Sequence, residues 1–121
     1  MRRCFLACLF ELMAGCFFVT LAREKDPVHV LRIIRDHLKP DQMVFVGVID
    51  PTHPRIETPE EVCERVLRAV EYIPLGQLGT CDDCGFAPFC DDTTTTRETA
   101  FAKIRARVEG TAMASARLQA R

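Results

Sequence analysis

The stretch Met43-Val44-Phe45-Val46-Gly47-Val48-Ile49 decides the fold class, because seven consecutive residues are apolar or glycine and Asp50 follows them. A strand with one face in solvent alternates apolar and polar residues, whereas a parallel strand that is covered on both faces is apolar throughout. We therefore predict a buried parallel strand over residues 43–49. Asp50 would then lie at the carboxyl end of the strand, where α/β proteins place their functional groups.

Helical patterns flank this strand on both sides. Before it, residues 27–38 carry an apolar stripe at helical spacing, and Lys39-Pro40 ends the predicted helix. After it, Thr58-Pro59-Glu60-Glu61 combines an N-cap threonine, a proline at the first helical position and a glutamate at the third, which predicts a helix over residues 59–72. The inward face of this second helix is predicted to consist of Val62, Val66, Leu67 and Val70.

The rest of the chain continues the alternation of helices and strands. The predicted order is a helix to about residue 13, strand 16–21, helix 27–38, strand 43–49, helix 59–72, strand 77–80 and a final helix 96–118. In the final helix Thr95 and Glu98 stand in a capping relation, and one side carries Phe101, Ile104, Val108 and Ala112. Such alternation predicts βαβ units with a parallel sheet. Three strands cannot close a barrel, so the open sheet edges would need a partner.

Length and composition limit the possible classes of protein. The chain has 121 residues, 48% of them hydrophobic and 27% charged, with a formal net charge of −1. This composition is that of an ordinary globular protein, and the length excludes a complete (β/α)8 barrel, which needs about 250 residues. Because no basic stripe is present to meet phosphates, we do not expect nucleic acid as a partner.

The first residues leave two interpretations of localisation open. Arg2 and Arg3 precede two apolar runs, residues 4–10 and 16–22, which is the outline of a signal peptide or of a lipoprotein signal cleaved before Cys16. Against export, Glu11 interrupts the apolar stretch, which is also too short for a membrane-spanning helix. We favour a cytoplasmic protein that is not bound to membranes, and keep export as the alternative.

The cysteines also favour a reducing compartment. The chain has seven, at positions 4, 8, 16, 63, 81, 84 and 90, which is an odd number with irregular spacing. Cys81 and Cys84 form a C-x-x-C pair, which alone is compatible with a redox pair, half of a zinc knuckle or two thiols without a function. A knuckle needs a second ligand pair, and only Cys90 follows nearby.

Four segments resemble those of a known family: Val46-Gly47-Val48-Ile49-Asp50, Ile56-Glu57-Thr58-Pro59-Glu60-Glu61-Val62, Tyr72-Ile73-Pro74-Leu75 and Asp82-Asp83-Cys84-Gly85-Phe86. With the spacing from Asp50 to Cys84, they make the chain similar to the C-terminal part of the cobalamin-independent methionine synthase family. The resemblance implies an α/β fold: a partial (β/α)8 TIM barrel whose C-terminal βα units have parallel strands and a long final helix. On this view residues 1–15 are an atypical N-terminal segment and residues 16–121 are a C-terminal fragment of the barrel domain.

The resemblance also implies a chemistry. In the family, a zinc ion bound by a His-x-Cys pair, a glutamate and a late cysteine holds the thiol of homocysteine as a thiolate, facing the methyl group of methyltetrahydrofolate. Of these ligands only Cys84 has a counterpart here. The glutamate is expected at the end of strand 16–21, where the chain has Thr20 and Leu21, while Glu24 is out of register. We therefore expect the chain alone to carry an incomplete zinc site.

Two further residues are site candidates by the same resemblance. Asp50 is a candidate for contact with an amino-acid substrate, and otherwise caps the turn that follows it. The family places a proton-donating histidine two residues after this aspartate, where the chain has Thr52, while His53 follows one residue later. His53 is thus a candidate catalytic residue displaced by one position, and otherwise a solvated loop histidine.

The function implied by the resemblance is methyl transfer from methyltetrahydrofolate to homocysteine in methionine biosynthesis, not carried out by this fragment alone. The first alternative is an inactive remnant or subunit that pairs with another chain through its open sheet edges. The second is a related zinc-dependent thiol alkyltransferase, which shares the zinc–thiolate chemistry but acts on another substrate.

Overall fold

The computed structural model describes residues 2–86 and 95–120. It contains a sheet of three parallel strands in the order β1 (Cys16–Val19), β2 (Met43–Ile49) and β3 (Leu78–Asp82). The helices are α1 (Arg2–Leu9), α2 (Pro27–His37), α3 (Pro59–Val70) and α4 (Arg97–Gln119), and a short 3₁₀ turn spans Leu75–Gln77. The predicted α/β class and the parallel pairing are confirmed.

Both crossover helices begin as the sequence predicts. The Thr58 side chain accepts a hydrogen bond from the Glu61 backbone N–H, and Pro59 follows the cap, so α3 starts with one of its unpaired donors satisfied. In α2 the Asp26 carboxylate accepts in the same way from the His29 N–H. These local signals position the two helices that connect neighbouring strands.

Some predicted boundaries are wrong. Helix α1 ends at Leu9 instead of residue 13, and β1 ends at Val19 instead of residue 21. Strand β1 stops early because the N–H groups of the residues after it bind the side chain of a residue that directly follows β3 instead of a neighbouring strand, as described below. The cap of α4 is Thr96, which accepts from the Thr99 N–H, whereas Thr95 donates its hydroxyl to the Pro51 carbonyl. Cys90 lies outside the described residues.

The buried face of α4 is not the one that we predicted. Phe101 and Val108 are 54% and 56% exposed, and the side that faces the protein carries Lys103, Ala106, Gly110 and Ala114. Small residues on this side let α4 approach α3 closely: a Cβ at Gly110 would lie 2.5 Å from the Val62 Cβ. Close approach of the two helices therefore decided the face, and the bulkier apolar residues remained outside.

The sheet has one well-covered face and one open face. On the covered face Val44, Val46 and Val48 are fully buried among the helices. On the other face Phe18 stacks on Phe45 with ring centroids 5.0 Å apart, and the Phe45 ring covers Gly79 of β3. Phe18 is 70% exposed, so this face is open to solvent at β1. None of the helices formed by the described residues is long and apolar enough to cross a membrane.

Candidate functional site

The carboxyl ends of the three parallel strands meet at one edge of the sheet, and the predicted site residues lie there. Asp50 directly follows β2, and Cys84 lies two residues after β3. The segment after β1, residues 21–23, reaches the same edge because its N–H groups bind the side chain of Asp83. The structure thus brings together the loops that carry Asp50 and Cys84 and the segment where the family resemblance expects a glutamate.

Asp83 joins all three strands at this edge, and it was not a candidate in the sequence analysis. Its carboxylate, only 1% exposed, accepts hydrogen bonds from the backbone N–H groups of Leu21 at 3.0 Å, Ala22 at 3.4 Å and Arg23 at 2.9 Å. On the way it passes over β2, where a Cβ at Gly47 would lie 1.5 Å from Oδ1. Burial raises the pKa of Asp83, and the three backbone hydrogen bonds oppose that effect.

Gly47 was the sequence signal for this contact. A glycine inside an apolar strand packs nothing itself and often marks a place where another group approaches the backbone. The sequence alone did not identify that group, because Asp83 lies 36 residues further along the chain.

Cys84 presents its thiol at the surface of this edge. It is exposed and has a φ of +53°, and Gly85 follows with a φ of +80°. A left-handed conformation is uncommon for a residue other than glycine and indicates that the surroundings hold the chain in place. Just before it, the Asp83 N–H donates to the Ile49 carbonyl at 3.0 Å, which ties the loop to the end of β2.

The other cysteine of the C-x-x-C pair has a different environment. Cys81 is half-buried, and its thiol contacts the Phe45 carbonyl at 3.6 Å. Burial and the neighbouring charges of Asp83 and Asp82 raise the pKa of Cys81 to about 11. Cys81 is therefore an unreactive thiol at neutral pH, whereas Cys84 is open to reagents and ligands.

Asp50 caps the turn that follows β2. Its Oδ1 accepts hydrogen bonds from the N–H and the hydroxyl of Thr52, at 3.0 and 2.7 Å, and lies 3.8 Å from Nε of Arg23. Burial alone would raise the pKa of Asp50, but the hydrogen bonds from Thr52 and the charges of Arg23 and Lys103 lower it below its ordinary value. Asp50 is thus a fixed carboxylate, and its role toward a substrate stays a prediction.

His53 lies in the same turn, exposed to solvent. Its Nδ1 accepts a hydrogen bond from the Arg55 N–H at 3.1 Å. An imidazole that accepts at Nδ1 carries its proton on Nε2 when it is neutral, so the ring has a donor available for a partner. The structure therefore gives His53 a defined tautomer, while its catalytic role stays a prediction.

The buried ion pair between Lys103 and Glu57 holds the backbone of this turn. Lys103 of α4, with a side chain 0% exposed, donates to the carbonyls of Asp50 and Arg55 at 2.9 and 2.8 Å and to Oε1 of Glu57 at 2.7 Å. The second oxygen of Glu57 accepts from the Asp50 N–H at 2.7 Å. Neither residue was a candidate in the sequence analysis, because a lysine on a helix ordinarily faces solvent.

The side chains at this edge do not form a zinc site by themselves. Among the described residues, no three histidine, cysteine, aspartate or glutamate side chains are arranged to hold a metal ion. Zinc sites in proteins use three or four protein ligands, whereas the family resemblance predicts a single ligand in this chain, Cys84. The donor set therefore does not fit a zinc ion held by these residues alone.

Comparison with known proteins agrees with the segments quoted above. The model of the family described as "Cobalamin-independent synthase, Catalytic domain" matches residues 16–112. The 2-hydroxypropyl-CoM lyase of Xanthobacter autotrophicus is 35% identical over 97 residues, which are 79% of this chain and 24% of the lyase. The uncharacterized protein YxjH of Bacillus subtilis is 32% identical over 65 residues, 54% of this chain and 17% of that protein.

A solved structure extends the likeness to the fold. It is that of a B12-independent methionine synthase from a Shewanella species in complex with selenomethionine, with a TM-score of 0.78 and 23% identity. The match covers 96% of this chain and 31% of the synthase. The chain therefore spans about a sixth to a third of the length of these proteins.

Proposed function

Because the chain belongs to the cobalamin-independent synthase family and matches its catalytic domain over residues 16–112, we propose that it provides the closing βα units of a barrel that alkylates a thiol. The first candidate reaction is transfer of the methyl group of methyltetrahydrofolate to homocysteine. The observation that supports this most is the exposed thiol of Cys84, held in a left-handed conformation at the carboxyl ends of the strands.

Cys84 is proposed as one ligand of a zinc ion whose remaining ligands come from outside the described residues. Zinc lowers the pKa of a bound thiol and so supplies a thiolate nucleophile near neutral pH. Because the described donors are insufficient for zinc, we assign no catalytic step of this chain to the metal.

Asp50 is proposed to bind the ammonium group of an amino-acid substrate. The contacts described above all go to its Oδ1, so we propose Oδ2 as the oxygen for the substrate. A carboxylate with a lowered pKa stays ionised at neutral pH, which favours pairing with a cation. His53 is proposed to donate the Nε2 proton to a leaving group from its imidazolium form, in which Nδ1 is also protonated and no longer accepts from Arg55.

A second candidate is a thiol alkyltransferase with another substrate. Thr52 stands where the methionine synthase pattern has its proton-donating histidine. In addition, the relative with 35% identity is a 2-hydroxypropyl-CoM lyase. This candidate would keep Cys84 as a zinc ligand but use coenzyme M or a similar thiol in place of homocysteine.

We further propose that a protein partner completes the barrel. Phe18 on the open face of the sheet and Phe101 and Val108 on the outer side of α4 are apolar and exposed, as expected for surfaces that meet other parts of a barrel. Without such a partner we expect no activity, which is the behaviour of an inactive remnant or subunit. We also propose a cytoplasmic location, which is supported by the free thiols of Cys8, Cys16, Cys63, Cys81 and Cys84.

The test is the zinc content of the reduced, purified chain after dialysis against a weak chelator. It is measured alone and after mixing with the N-terminal part of a homologous barrel from the same family. We expect well under one zinc per chain alone and a stoichiometric gain in the complex that is lost in Cys84→Ser. Cys8→Ser, which removes another exposed thiol, is the matched control and should keep the zinc.

Activity assays on the complex then separate the two candidates. Methyl transfer to homocysteine supports the first, and turnover of a 2-hydroxypropyl thioether of coenzyme M supports the second. If the Cys84→Ser complex kept both its zinc and its activity, Cys84 would have no role as a ligand and the proposal would be wrong.

A further inference from the structure

The side chain of Asp83 crosses the sheet at the edge formed by the carboxyl ends of the strands. Asp83 directly follows β3; its side chain passes over the backbone at Gly47 in β2, and its carboxylate accepts hydrogen bonds from the three N–H groups that follow β1. The next residue in the chain is Cys84, the one described residue other than glycine with a positive φ. A buried carboxylate thus stands immediately before a conformationally constrained thiol.

We propose that Asp83 is a positioning residue for Cys84: its bridge from β3 to the end of β1 fixes the conformation in which the thiol is presented. The inference rests on the proposed function only in treating Cys84 as the functional thiol. Asp83 itself touches no reacting group in this scheme and acts through the backbone of its neighbour.

The ladder of the sheet cannot hold Cys84 by itself. Strand β3 ends at Asp82, and the Asp83 N–H bond to the Ile49 carbonyl is the last described backbone bond between this loop and β2. Beyond it, the Asp83 side chain anchors the loop a second time, at the segment 21–23 that follows β1. Two anchors on one residue fix its backbone, so the direction in which the chain continues at Cys84 is also fixed.

The Asp83 bridge also satisfies the backbone N–H groups that follow β1. After β1 stops at Val19, the N–H groups of Leu21 and Arg23 have no strand partner, and Leu21 is buried. Buried N–H groups need an acceptor, and consecutive N–H groups that converge form a natural site for an anion. An asparagine at position 83 would place its own NH₂ group, a donor, against at least one of these backbone N–H donors. A side chain at position 47 would occupy the space that the Asp83 carboxylate fills. Asp83 and Gly47 therefore form a matched pair.

The experiment is nuclear magnetic resonance of the full chain, labelled with ¹⁵N and ¹³C. A residue with positive φ has a short distance between its own amide and α protons, so Cys84 should give a strong cross-peak between them. In Asp83→Asn we expect this cross-peak to weaken to the level of ordinary residues. The amides of Leu21 and Arg23 should exchange with solvent about tenfold faster or more, as expected when charge-assisted hydrogen bonds are lost.

Two further variants make the test specific. Gly47→Ala keeps Asp83 but displaces its carboxylate, so it should produce the same changes at Cys84, Leu21 and Arg23. Asp82→Asn is the matched control, because it removes the adjacent carboxylate and its pairing with Arg107 without touching the bridge. We expect its spectra at those three residues to be those of the unmodified chain.

The results separate positioning from stability and from the proposed function. If amide exchange at Leu21 and Arg23 accelerated while Cys84 kept its cross-peak, the bridge would be structural only and the inference would be wrong. An unchanged Cys84 in Asp83→Asn would overturn it as well. Neither readout depends on zinc or methyl transfer, so a lack of activity in every assay would contradict the proposed function alone.

Discussion

Replacing Lys103 by methionine should destabilise the chain strongly, although it exchanges one long unbranched side chain for another. The three hydrogen bonds from Nζ would be lost, and Glu57, only 4% exposed, would lose the lysine that pairs with it. Its remaining partners would be the Asp50 N–H at 2.7 Å and the Arg65 guanidinium at 3.9 Å. Removing one partner of a buried ion pair costs about 3–5 kcal/mol, because the other charge stays buried without compensation.

A double-mutant cycle shows how much of the lost stability comes from the interaction between Lys103 and Glu57. Glu57→Gln in the Lys103→Met background removes the carboxylate that has lost its partner, so the double variant should be more stable than the sum of the single effects by about 2 kcal/mol. Arg105→Met is the control, because Arg105 is exposed on the same helix, and it should change the stability by less than about 0.5 kcal/mol.

The assay is urea unfolding followed by far-ultraviolet circular dichroism, with the free energy of unfolding extrapolated to water. If Lys103→Met is too unstable for a full curve, Glu57→Gln alone gives the second measurement, because it leaves the lysine charge without its carboxylate. A loss below about 1 kcal/mol in Lys103→Met, or strict additivity in the cycle, would refute the claim that this pair supports the Asp50 turn.

Three other predictions follow from individual contacts. The hydrogen bond from Arg55 holds the pKa of Glu61 at about 2 instead of 4.5. The pair therefore makes its full contribution to the free energy of unfolding above pH 4.5, and this contribution is lost as the pH falls toward 2. Arg55→Gln should return the Glu61 pKa toward 4.5 in an NMR titration, and an unchanged value would contradict this. Burial raises the pKa of Cys81 to about 11, so Cys81 should react with iodoacetamide at pH 8 about 100-fold more slowly than a thiol of pKa 9.0. The rate is measured by peptide mass spectrometry, and labelling as fast as a thiol of pKa 9.0 would contradict the burial of Cys81. Gly110→Ala should destabilise the chain by about 1–3 kcal/mol in thermal unfolding, because its Cβ would overlap Val62 of α3; an increase in stability, as helix propensity alone predicts, would show that the helices can separate.

The position of the candidate site follows directly from the parallel direction of the strands. In a parallel sheet all carboxyl ends lie at one edge, so the residues after β2 and after β3 meet even though 34 positions separate Asp50 from Cys84. The sequence was sufficient to predict this meeting, because it needs only the direction of the strands and the polar residues that follow them. It also identified Cys84 and Asp50 as the residues to examine there.

What the sequence could not predict is how these residues are held. The Asp83 bridge joins atoms 60 to 62 positions apart, and the Lys103–Glu57 pair joins residues 46 positions apart. Neither produces a periodic pattern, and their only signals were a glycine inside an apolar strand and a lysine among small residues in a helix. Such contacts depend on the distances between elements, which a pattern of apolar residues does not specify.

The final helix α4 has one property that the sequence could predict and one that it could not. Its presence and approximate length were predictable, because helical spacing and a polar start are local properties of the chain, although the cap is Thr96 and not the predicted Thr95. Its orientation was predicted wrongly, because the apolar side with Phe101 and Val108 would bury more surface but cannot approach α3 as closely as Ala106 and Gly110 do.

By itself, then, the amino-acid sequence determined the alternation of strands and helices, the parallel sheet and the edge at which the candidate residues lie. These features arise from interactions between residues close in sequence and from the burial of apolar runs. The tertiary structure decided which face of α4 is buried, where β1 ends, and which charges hold the Asp50 turn and Cys84. Those outcomes depend on close packing and on satisfying buried polar groups, which are set only when distant elements come together.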